Sequence, residues 1–310
     1  MNMAKNYEIV VATYNGAPFL SAQLDSLLPQ LGLAGWITIR DDGSSDDTSS
    51  LIEDYARQYP AHIRVLSGAP SGSARDNFGL LLQNATADYV FCSDQDDVWL
   101  PDKVERLLRV MLEHEISLGP STPLLVHSDL LVVNDNMHIL ANSLWRYQKL
   151  DPTWGNSFAL LLTQNVVTGC AMLVNRALLE AALPVPIQAV MHDWWLALVA
   201  CALGRVVAVP EPLVYYRQHG QNDVGAKRFN AHYILNRFTR LRSGEVTGLA
   251  RLSLQAEAFA IRFDGTSSAS TARMFAQLPR LPRWQRRLQI VHHGFWKVGF
   301  ARNLGWLLWA

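Results

Sequence analysis

The sequence has no long hydrophobic run and few cysteines, and both shortages restrict what the protein can be. No uninterrupted apolar stretch reaches the roughly 18 residues that a membrane-spanning helix needs, so we expect no transmembrane helix. The three cysteines, Cys92, Cys170 and Cys201, lie in separate apolar segments, which favours buried thiols in a reducing compartment over disulfides. Residues 1–6 lead directly into a strand-like segment, so we expect no signal peptide.

Two glycine-rich motifs are also missing near the N-terminus. No GxGxxG follows the first predicted strand, which argues against a nicotinamide-dependent oxidoreductase. The same segment, Val11-Ala12-Thr13-Tyr14-Asn15, lacks the glycine-rich loop with a basic residue that a nucleotidyltransferase making activated sugars would normally show. Internal repeats and low-complexity tracts are absent as well, and a chain of 310 residues with 49% hydrophobic residues can bury a substantial core.

The overall net charge of zero conceals a division of charge along the chain. Residues 1–222 contain 13 Lys and Arg against 23 Asp and Glu, whereas residues 223–310 contain 14 against 4. Such asymmetry indicates a basic segment with its own partner. We therefore predict an acidic domain over residues 1–225 and a helical, Arg- and Trp-rich region over residues 226–310.

Apolar segments with strand and helix character alternate through the first domain. This alternation predicts an α/β fold, with a mainly parallel sheet flanked by helices and a helical basic region at the C-terminal end. The first four predicted strands cover residues 8–12, 36–40, 63–66 and 88–92.

Polar residues follow each of these strands, at the position where doubly wound sheets bind ligands. Those side chains are therefore predicted to meet at one edge of the sheet. They are Thr13, Tyr14 and Asn15 after the first strand, Asp41 and Asp42 after the second, Arg75 after the third, and Asp94, Gln95, Asp96 and Asp97 after the fourth.

The cluster Asp94-Gln95-Asp96-Asp97 indicates a metal site. Three carboxylates in four residues repel one another unless a cation lies among them, and hard oxygen ligands suit Mg²⁺ or Mn²⁺. Such an ion would stabilise a departing nucleoside diphosphate. The alternative is an acidic turn that caps the helix after Pro101, but the polar ends of three earlier strands favour the metal site.

The other strand ends have both a binding and a structural interpretation. Asp41 or Asp42 could accept a hydrogen bond from the N3–H of a pyrimidine base, or either could belong to a plain turn. Arg75 could pair with a phosphate or the base through its fork, or it could be a surface charge. Tyr14 could stack on the base or simply pack.

Three segments, VATYNG, DDGSSDDT and SDQDDVWLPDKV, in this order and spacing resemble glycosyltransferase family 2 with the GT-A fold. The resemblance covers roughly residues 7–225. The form SDQDDVW together with YYRQHGQNDVGA at residues 215–226 is most similar to the bacterial rhamnosyltransferase-like subgroup.

The resemblance implies a role for each matching residue. Thr13, Tyr14 and Asp42 would hold the pyrimidine nucleoside, with Asn15, Asp41, Arg75 and Gln95 beside the nucleotide-sugar. Asp94 and Asp96 would form the metal-binding DxD motif, and His219 would contact the metal or the diphosphate in a closing flap, unless it is an exposed loop histidine.

The catalytic base of the family opens a helix on the acceptor side, and here that position is Asp193. Family members commonly show Glu-Asp, whereas this chain has His192-Asp193. The structural alternative is that Asp193 only caps its helix. Acceptor-side candidates are Thr168, Gly169, His192, Trp194 and Trp195, although core packing is the simpler role for at least one tryptophan.

The basic C-terminal region contains an amphipathic pattern. Trp284, Leu288, Val291, Phe295 and Val298 recur at helical spacing, with basic residues on the opposite side. This pattern predicts contact with an anionic membrane surface; the alternative is packing on the catalytic core. No nucleic-acid-binding module is indicated.

Together these features predict an inverting, metal-dependent glycosyltransferase. The expected donor is a dTDP- or UDP-sugar, with L-rhamnose the first candidate, and the expected acceptor is a hydroxyl of a cell-surface glycan or its lipid-linked precursor. The expected location is the cytoplasm, peripherally on the inner face of the cell membrane. The alternatives are a nucleotidyltransferase and a catalytically silent sugar-nucleotide-binding protein.

Overall fold

The computed structural model describes residues 6–220 and 248–309. Within this part of the chain, nine strands form one sheet and helices cover it. The strands are β1 Tyr7–Thr13, β2 Gly35–Asp41, β3 Ile63–Val65, β4 Tyr89–Asp94, β5 Val98–Trp99, β6 Leu124–Asn134, β7 Ile139–Ala141, β8 Met172–Asn175 and β9 Arg205–Gln218. The helices are α1 Ala17–Leu27, α2 Thr48–Gln58, α3 Ala74–Asn84, α4 Lys103–Leu118, α5 Leu144–Gln148, α6 Phe158–Leu161, α7 Arg176–Ala182, α8 His192–Leu203, α9 Gly248–Arg262, α10 Ser267–Gln277, α11 Arg283–His293 and α12 Phe300–Trp309.

The sheet has the strand order β3-β2-β1-β4-β8-β6-β9-β5, and β7 pairs with β6. Strands β1 to β4 run parallel, connected by helices, which confirms the predicted α/β architecture. Beyond β4, strand β8 is antiparallel to both β4 and β6, while β6 and β9 are parallel.

Strand β1 lies at the centre of the parallel half because its side chains are apolar on both faces. Val10 packs with Phe78 of α3 on one face. Ile9 and Val11 pack with Leu20 of α1 on the other. A strand that is buried on both faces has a continuous apolar sequence, which is why β1 could be predicted well from the sequence.

The pairing register brings three predicted site residues to one edge of the sheet. Thr13 pairs with Asp41 of β2, and Ala12 pairs with Asp94 of β4. The loops that follow these strands therefore leave the sheet side by side, as expected for a ligand site at the carboxyl ends of parallel strands.

The described part of the C-terminal region is helical, as predicted, and it packs on the sheet domain. Phe259 of α9 is fully buried and lies against Trp195 of α8, with ring centroids 5.9 Å apart. The residues between 220 and 248, which include the predicted boundary at residue 225, lie outside the described residues. No helix in the described chain is long and apolar enough to cross a membrane.

The predicted amphipathic helix is shorter than expected. Helix α11 ends at His293 because Gly294 adopts a left-handed conformation with φ 68°. The Phe295 N–H then donates to the Ile290 carbonyl at 3.0 Å, and the Phe295 side chain turns into the core. The expectation that Phe295 and Val298 continue the apolar face of this helix is therefore wrong.

Candidate functional site

The loops after β1 and β2 are joined by side-chain hydrogen bonds. Thr13 Oγ1 donates to Asp41 Oδ1 at 2.9 Å, and Asp41 Oδ2 accepts from the Ser44 N–H at 2.8 Å. Asn15, with φ 48°, donates its N–H to Ser44 Oγ and accepts from the Ser45 N–H. Asp41 and Asn15 therefore shape the two loops, and Tyr14 lies at their exposed mouth with 58% of its surface accessible.

Asp42 organises the third loop of this edge. Its buried carboxylate accepts hydrogen bonds from Ser71, from the Gly72 N–H at 2.9 Å and from Arg40 Nη1 at 3.0 Å. Burial by itself would raise the pKa of Asp42, but the hydrogen bonds from Ser71, Arg40 and Gly72 outweigh it and lower the pKa. The buried Arg40 was missed by the sequence analysis, where it appeared only as the end of a strand.

Residues 94–97, at the end of β4 and in the loop after it, form what we call the acidic loop. Gln95 connects this acidic loop to the loop after β1, which we call the first loop. Its Oε1 accepts from the Tyr14 N–H at 2.8 Å, and its Nε2 donates to the Tyr14 carbonyl at 2.9 Å. Gly16 permits this approach, because a Cβ at that position would lie 2.1 Å from Gln95 Oε1. The amide of Gln95 is therefore engaged in positioning the loops.

The carboxylates of the acidic loop lie close together, with Asp96 and Asp97 buried and Asp94 partly buried. Burial, followed by the charges of Asp96 and Asp193, raises the pKa of Asp94 to about 7. Burial, followed by the charges of Asp96 and Asp94, also raises the pKa of Asp97. A divalent cation would relieve this repulsion, and the oxygen donors suit Mg²⁺ or Mn²⁺.

Candidate metal-ligating atoms fall into two adjoining groups. Those of Asp94, Asp97 and Cys170 all lie within 4.8 Å of one another. Asp96 Oδ2 lies 2.7 Å from His219 Nε2, and the His219 ring stacks on Phe19. The structure thus places His219 beside Asp96 and adds Asp97 to the potential ligands, while contact of His219 with a metal or diphosphate stays a prediction.

The end of β9 fastens the acidic loop from the other side. The Arg217 N–H donates to Asp97 Oδ1 at 3.1 Å, and Arg217 Nε donates to the Asp96 carbonyl at 2.8 Å. The loop geometry therefore depends on a segment more than a hundred residues away in sequence.

A buried lysine beneath the acidic loop was not predicted. Lys103 is fully buried, donates from Nζ to the Cys170 carbonyl at 2.6 Å and lies over the Trp99 ring. Burial lowers the pKa of Lys103 to about 7, against the opposing effect of Cys170 and Asp97. Its position six residues after Asp97, in Pro101-Asp102-Lys103, was the available signal.

Asp193 lies in the first turn of α8, close enough to Asp94 for its charge to act on that carboxylate. The Asp193 side chain is 8% exposed and accepts from the Trp194 N–H at 2.5 Å. Burial raises the pKa of Asp193 to about 7, although hydrogen bonds from Trp194, Gly169 and Asn165 oppose the rise. A carboxylate with this pKa can accept a proton near neutral pH.

His192 lies next to Asp193 and, together with Thr168 and Gly169, forms the surface that we call the acceptor wall. Its ring stacks on Phe78 with centroids 4.1 Å apart, and a Cβ on Gly169 would lie 3.0 Å from His192 Nε2. Neither ring nitrogen has a hydrogen-bond partner among the described residues. Burial lowers the pKa of His192 to about 3, so the ring is neutral. Thr168, half-buried, precedes Gly169 in the same wall.

The prediction that Trp195 lies on the acceptor side is wrong. Trp195 is fully buried, and its Nε1 donates to the Ala182 carbonyl at 2.8 Å. The helical turn directs Trp195 into the core against Phe259, so it cannot contact an acceptor. Trp194 is half-buried, and its Nε1 donates to the Leu161 carbonyl.

Arg75 connects the two sides of the site. Its Nε and Nη2 bind Asp76 at 2.8 and 2.7 Å, and its Nη1 donates to the carbonyls of Ile187 at 2.7 Å and Ala189 at 3.3 Å. The guanidinium therefore bridges α3 to the segment that leads into α8. Contact of Arg75 with a phosphate or base stays a prediction.

Comparison with known proteins places this arrangement in a family. The model of the family described as glycosyl transferase family 2 matches residues 8–180. The chain is 27% identical over 222 residues to an uncharacterized glycosyltransferase of Nostoc sp., covering 69% of this chain and 65% of that protein, slightly under two thirds of its length. It is 26% identical over 230 residues to the dTDP-rhamnosyl transferase RfbG of Shigella flexneri, covering 72% and 76%.

Solved structures show the same fold at low sequence identity. Residues 1–349 of TarS from S. aureus in complex with UDP-GlcNAc superpose with a TM-score of 0.59 at 13% identity, covering 93% of this chain and 79% of that one. The mannosyltransferase PcManGT from Pyrobaculum calidifontis, in complex with GDP-Man and Mn²⁺, gives a TM-score of 0.57 at 16% identity, covering 94% and 74%.

Proposed function

Because this chain belongs to glycosyltransferase family 2, we propose that it transfers a sugar from a nucleotide-activated donor to an acceptor hydroxyl with inversion at the anomeric carbon. The observation that carries the proposal is the proximity of two kinds of carboxylate. Asp94, in the acidic loop at the sheet edge, and Asp193, in the first turn of α8, are close enough for one charge to raise the pKa of the other. This proximity supports a donor site and a proton acceptor that act together.

The donor half is the edge formed by the loops after β1, β2 and β4. We propose that Thr13, Tyr14 and Asp42 hold the nucleoside and that Asn15, Asp41 and Gln95 keep these loops in place through the hydrogen bonds described above. Asp94 and Asp96 are the proposed metal ligands, with Asp97 and His219 beside them. A bound Mg²⁺ or Mn²⁺ would neutralise the charge of the departing diphosphate.

The acceptor half is the wall around Asp193. In the proposed reaction, the acceptor oxygen forms a bond to the anomeric carbon while the bond from that carbon to the diphosphate oxygen breaks, and the hydroxyl proton passes to Asp193. A single displacement inverts the anomeric centre. The low exposure of Asp193 would limit access of water, which would otherwise compete as the acceptor.

The proposed donor is dTDP-L-rhamnose or a related dTDP- or UDP-sugar. Support comes from the similarity to the dTDP-rhamnosyl transferase RfbG, and the UDP-GlcNAc bound by TarS keeps UDP-sugars in consideration. The proposed acceptor is a hydroxyl of a cell-surface glycan or of its lipid-linked precursor.

A thermal-shift panel tests the donor site. The purified chain is heated with dTDP, UDP, GDP or dTDP-rhamnose, each with Mn²⁺ and with a chelator. A ligand at about 100 times its Kd should stabilise the fold by roughly 2.7 kcal/mol. We expect a metal-dependent shift confined to dTDP or UDP species. The shift should be lost in Asp96→Ala and retained in the control Asp47→Asn, whose side chain is exposed just before α2. No shift with any nucleotide in the presence of metal would contradict the proposed donor site.

A further inference from the structure

The two C-terminal helices expose apolar side chains that folding leaves in water. On α11, Trp284, Leu288 and Val291 are 64%, 59% and 53% exposed. Their spacing of four and three residues places them on one side of the helix. On α12, Phe300, Leu304 and Leu308 recur every four residues and are exposed as well. We call these six side chains the outer face.

The two helices are held together, so their exposed residues form neighbouring surfaces. Arg287, which lies between Trp284 and Val291 on the same side of α11, donates from Nε to the Leu307 carbonyl at 2.8 Å. The carboxyl end of α12 therefore abuts the exposed side of α11. Exposed apolar side chains concentrated on two adjoining helices of a folded protein indicate an interaction site.

The sequence around the outer face carries an excess of positive charge. No Asp or Glu follows Asp264, whereas residues 265–310 contain seven Lys and Arg. Arg283, the first residue of α11, and Arg280, three residues before it, are exposed, and Arg280 Nη2 also lies 3.6 Å from Glu257 Oε1 of α9. An apolar surface with Trp and Leu that is bordered by cations complements a lipid surface carrying negative headgroups.

We propose that the outer face docks this protein on an anionic lipid bilayer, with α11 and the end of α12 in the interfacial layer. A second copy of the chain would have to bring the same positive charge against itself, which makes self-association the less favoured occupant.

The outer face is connected to the acceptor side of the site. Between α11 and α12, the Trp296 carbonyl accepts a hydrogen bond from Thr163, and the Val298 N–H donates to Gln164 Oε1 at 3.1 Å. The next residue, Asn165, hydrogen-bonds to Asp193. Docking would thus fix the acceptor wall relative to the lipid surface. Only this link between docking and the acceptor wall rests on the proposed function, because such an arrangement suits an acceptor that is embedded in the bilayer.

Vesicle co-sedimentation tests the docking without any nucleotide, so its result is independent of the donor site. We expect the full chain to bind vesicles containing 30% phosphatidylglycerol and to bind pure phosphatidylcholine vesicles at least tenfold more weakly. Replacing Trp284, Leu288 and Val291 by serine should reduce binding at least tenfold. The matched control replaces Leu33, Ile116 and Ile139, which are exposed elsewhere, by serine and should bind normally.

Two double Arg→Gln variants, one beside the outer face and one elsewhere, separate the electrostatic attraction to the vesicle from the apolar attraction. Arg280→Gln with Arg283→Gln should weaken binding to anionic vesicles roughly thirtyfold, from a contribution of about 1 kcal/mol for each charge. Arg57→Gln with Arg109→Gln, exposed on α2 and α4, is the control with the same change in charge. Equal binding of wild type and the serine variant would overturn the proposal. So would light scattering that shows a dimer abolished by the serine variant, with no vesicle binding, since the occupant would then be a second copy.

Discussion

At the scale of single residues, Asp193 determines how activity should depend on pH. Its pKa is raised to about 7, with burial the largest cause, so the proposed base is protonated below that pH. We expect kcat/KM to rise about tenfold per pH unit up to about 7 and then to level off. A pH–rate profile from 5.5 to 9 with a saturating metal measures this.

Removing the base should leave donor binding intact. Asp193→Asn is expected to lower kcat by about 10²- to 10⁴-fold, the usual contribution of general base catalysis. The nucleotide-induced thermal shift should be unchanged in this variant, because the nucleotide contacts are assigned to other residues. A variant that keeps most of its turnover would show that Asp193 is not the base.

The same carboxylate should reduce the stability of the fold at neutral and alkaline pH. Its pKa is higher in the folded chain than the value of about 3.9 in an unfolded one, so the folded state binds the proton more tightly. The stabilisation present below pH 4 is therefore lost as the pH rises through about 7.

Asp193→Asn should consequently melt at a higher temperature than wild type at pH 8. The corresponding gain in the free energy of unfolding should be less than about 4 kcal/mol. The difference should shrink at pH 4.5. Differential scanning calorimetry at both pH values measures it, with Asp47→Asn as an exposed control that should show neither effect. A lower melting temperature for Asp193→Asn at pH 8 would rule out this interpretation.

At the scale of elements, the link between the first loop and the acidic loop predicts a non-additive pair of substitutions. Gly16→Ala would place a Cβ 2.1 Å from Gln95 Oε1, and the flexible Gln95 must then move away and lose its bonds to Tyr14. Gln95→Ala loses the same bonds directly. Each single variant should weaken nucleotide binding by a similar factor, about three- to tenfold for a pair of hydrogen bonds near the surface.

The double variant should bind no more weakly than either single variant, because the same contact is lost once. Isothermal titration calorimetry with UDP or dTDP and Mn²⁺ measures the three affinities. Additive losses would mean that Gly16 and Gln95 act through separate contacts.

Prediction from sequence succeeded where an element is read locally. Strand β1 is apolar on both faces and ends at Thr13, and its neighbours β2 and β4 end at Asp41 and Asp94, so the sheet edge could be located, while the binding roles of the residues there stay predictions. The partners of those residues were not visible, because Arg40 with Asp42, and Arg217 with Asp97, are brought together only by folding. Trp194 and Trp195 are adjacent in sequence, and only the orientation of α8 separates a half-buried tryptophan from a core residue.

At the scale of the whole molecule, the C-terminal helices are part of the core that supports the site. Phe259→Ala should lower the free energy of unfolding by about 3–5 kcal/mol, the cost of losing a buried phenylalanine. Phe300→Ala, which removes an exposed phenylalanine from α12, should change it little. Chemical denaturation followed by tryptophan fluorescence compares the two. Equal, small effects would mean that α9 is a detachable appendage.

The bridge formed by Arg75 has a consequence for building chimaeras from relatives of this protein. The guanidinium joins α3, which packs on β1 and β2 of the parallel half, to backbone carbonyls just ahead of the helix that carries Asp193. A recombination junction anywhere between residues 76 and 187 would combine the residue at position 75 from one parent with the loop at residues 187–189 from the other parent. Hybrids intended to combine one parent's donor with a second parent's acceptor should therefore inherit position 75 and the loop at 187–189 from the same parent.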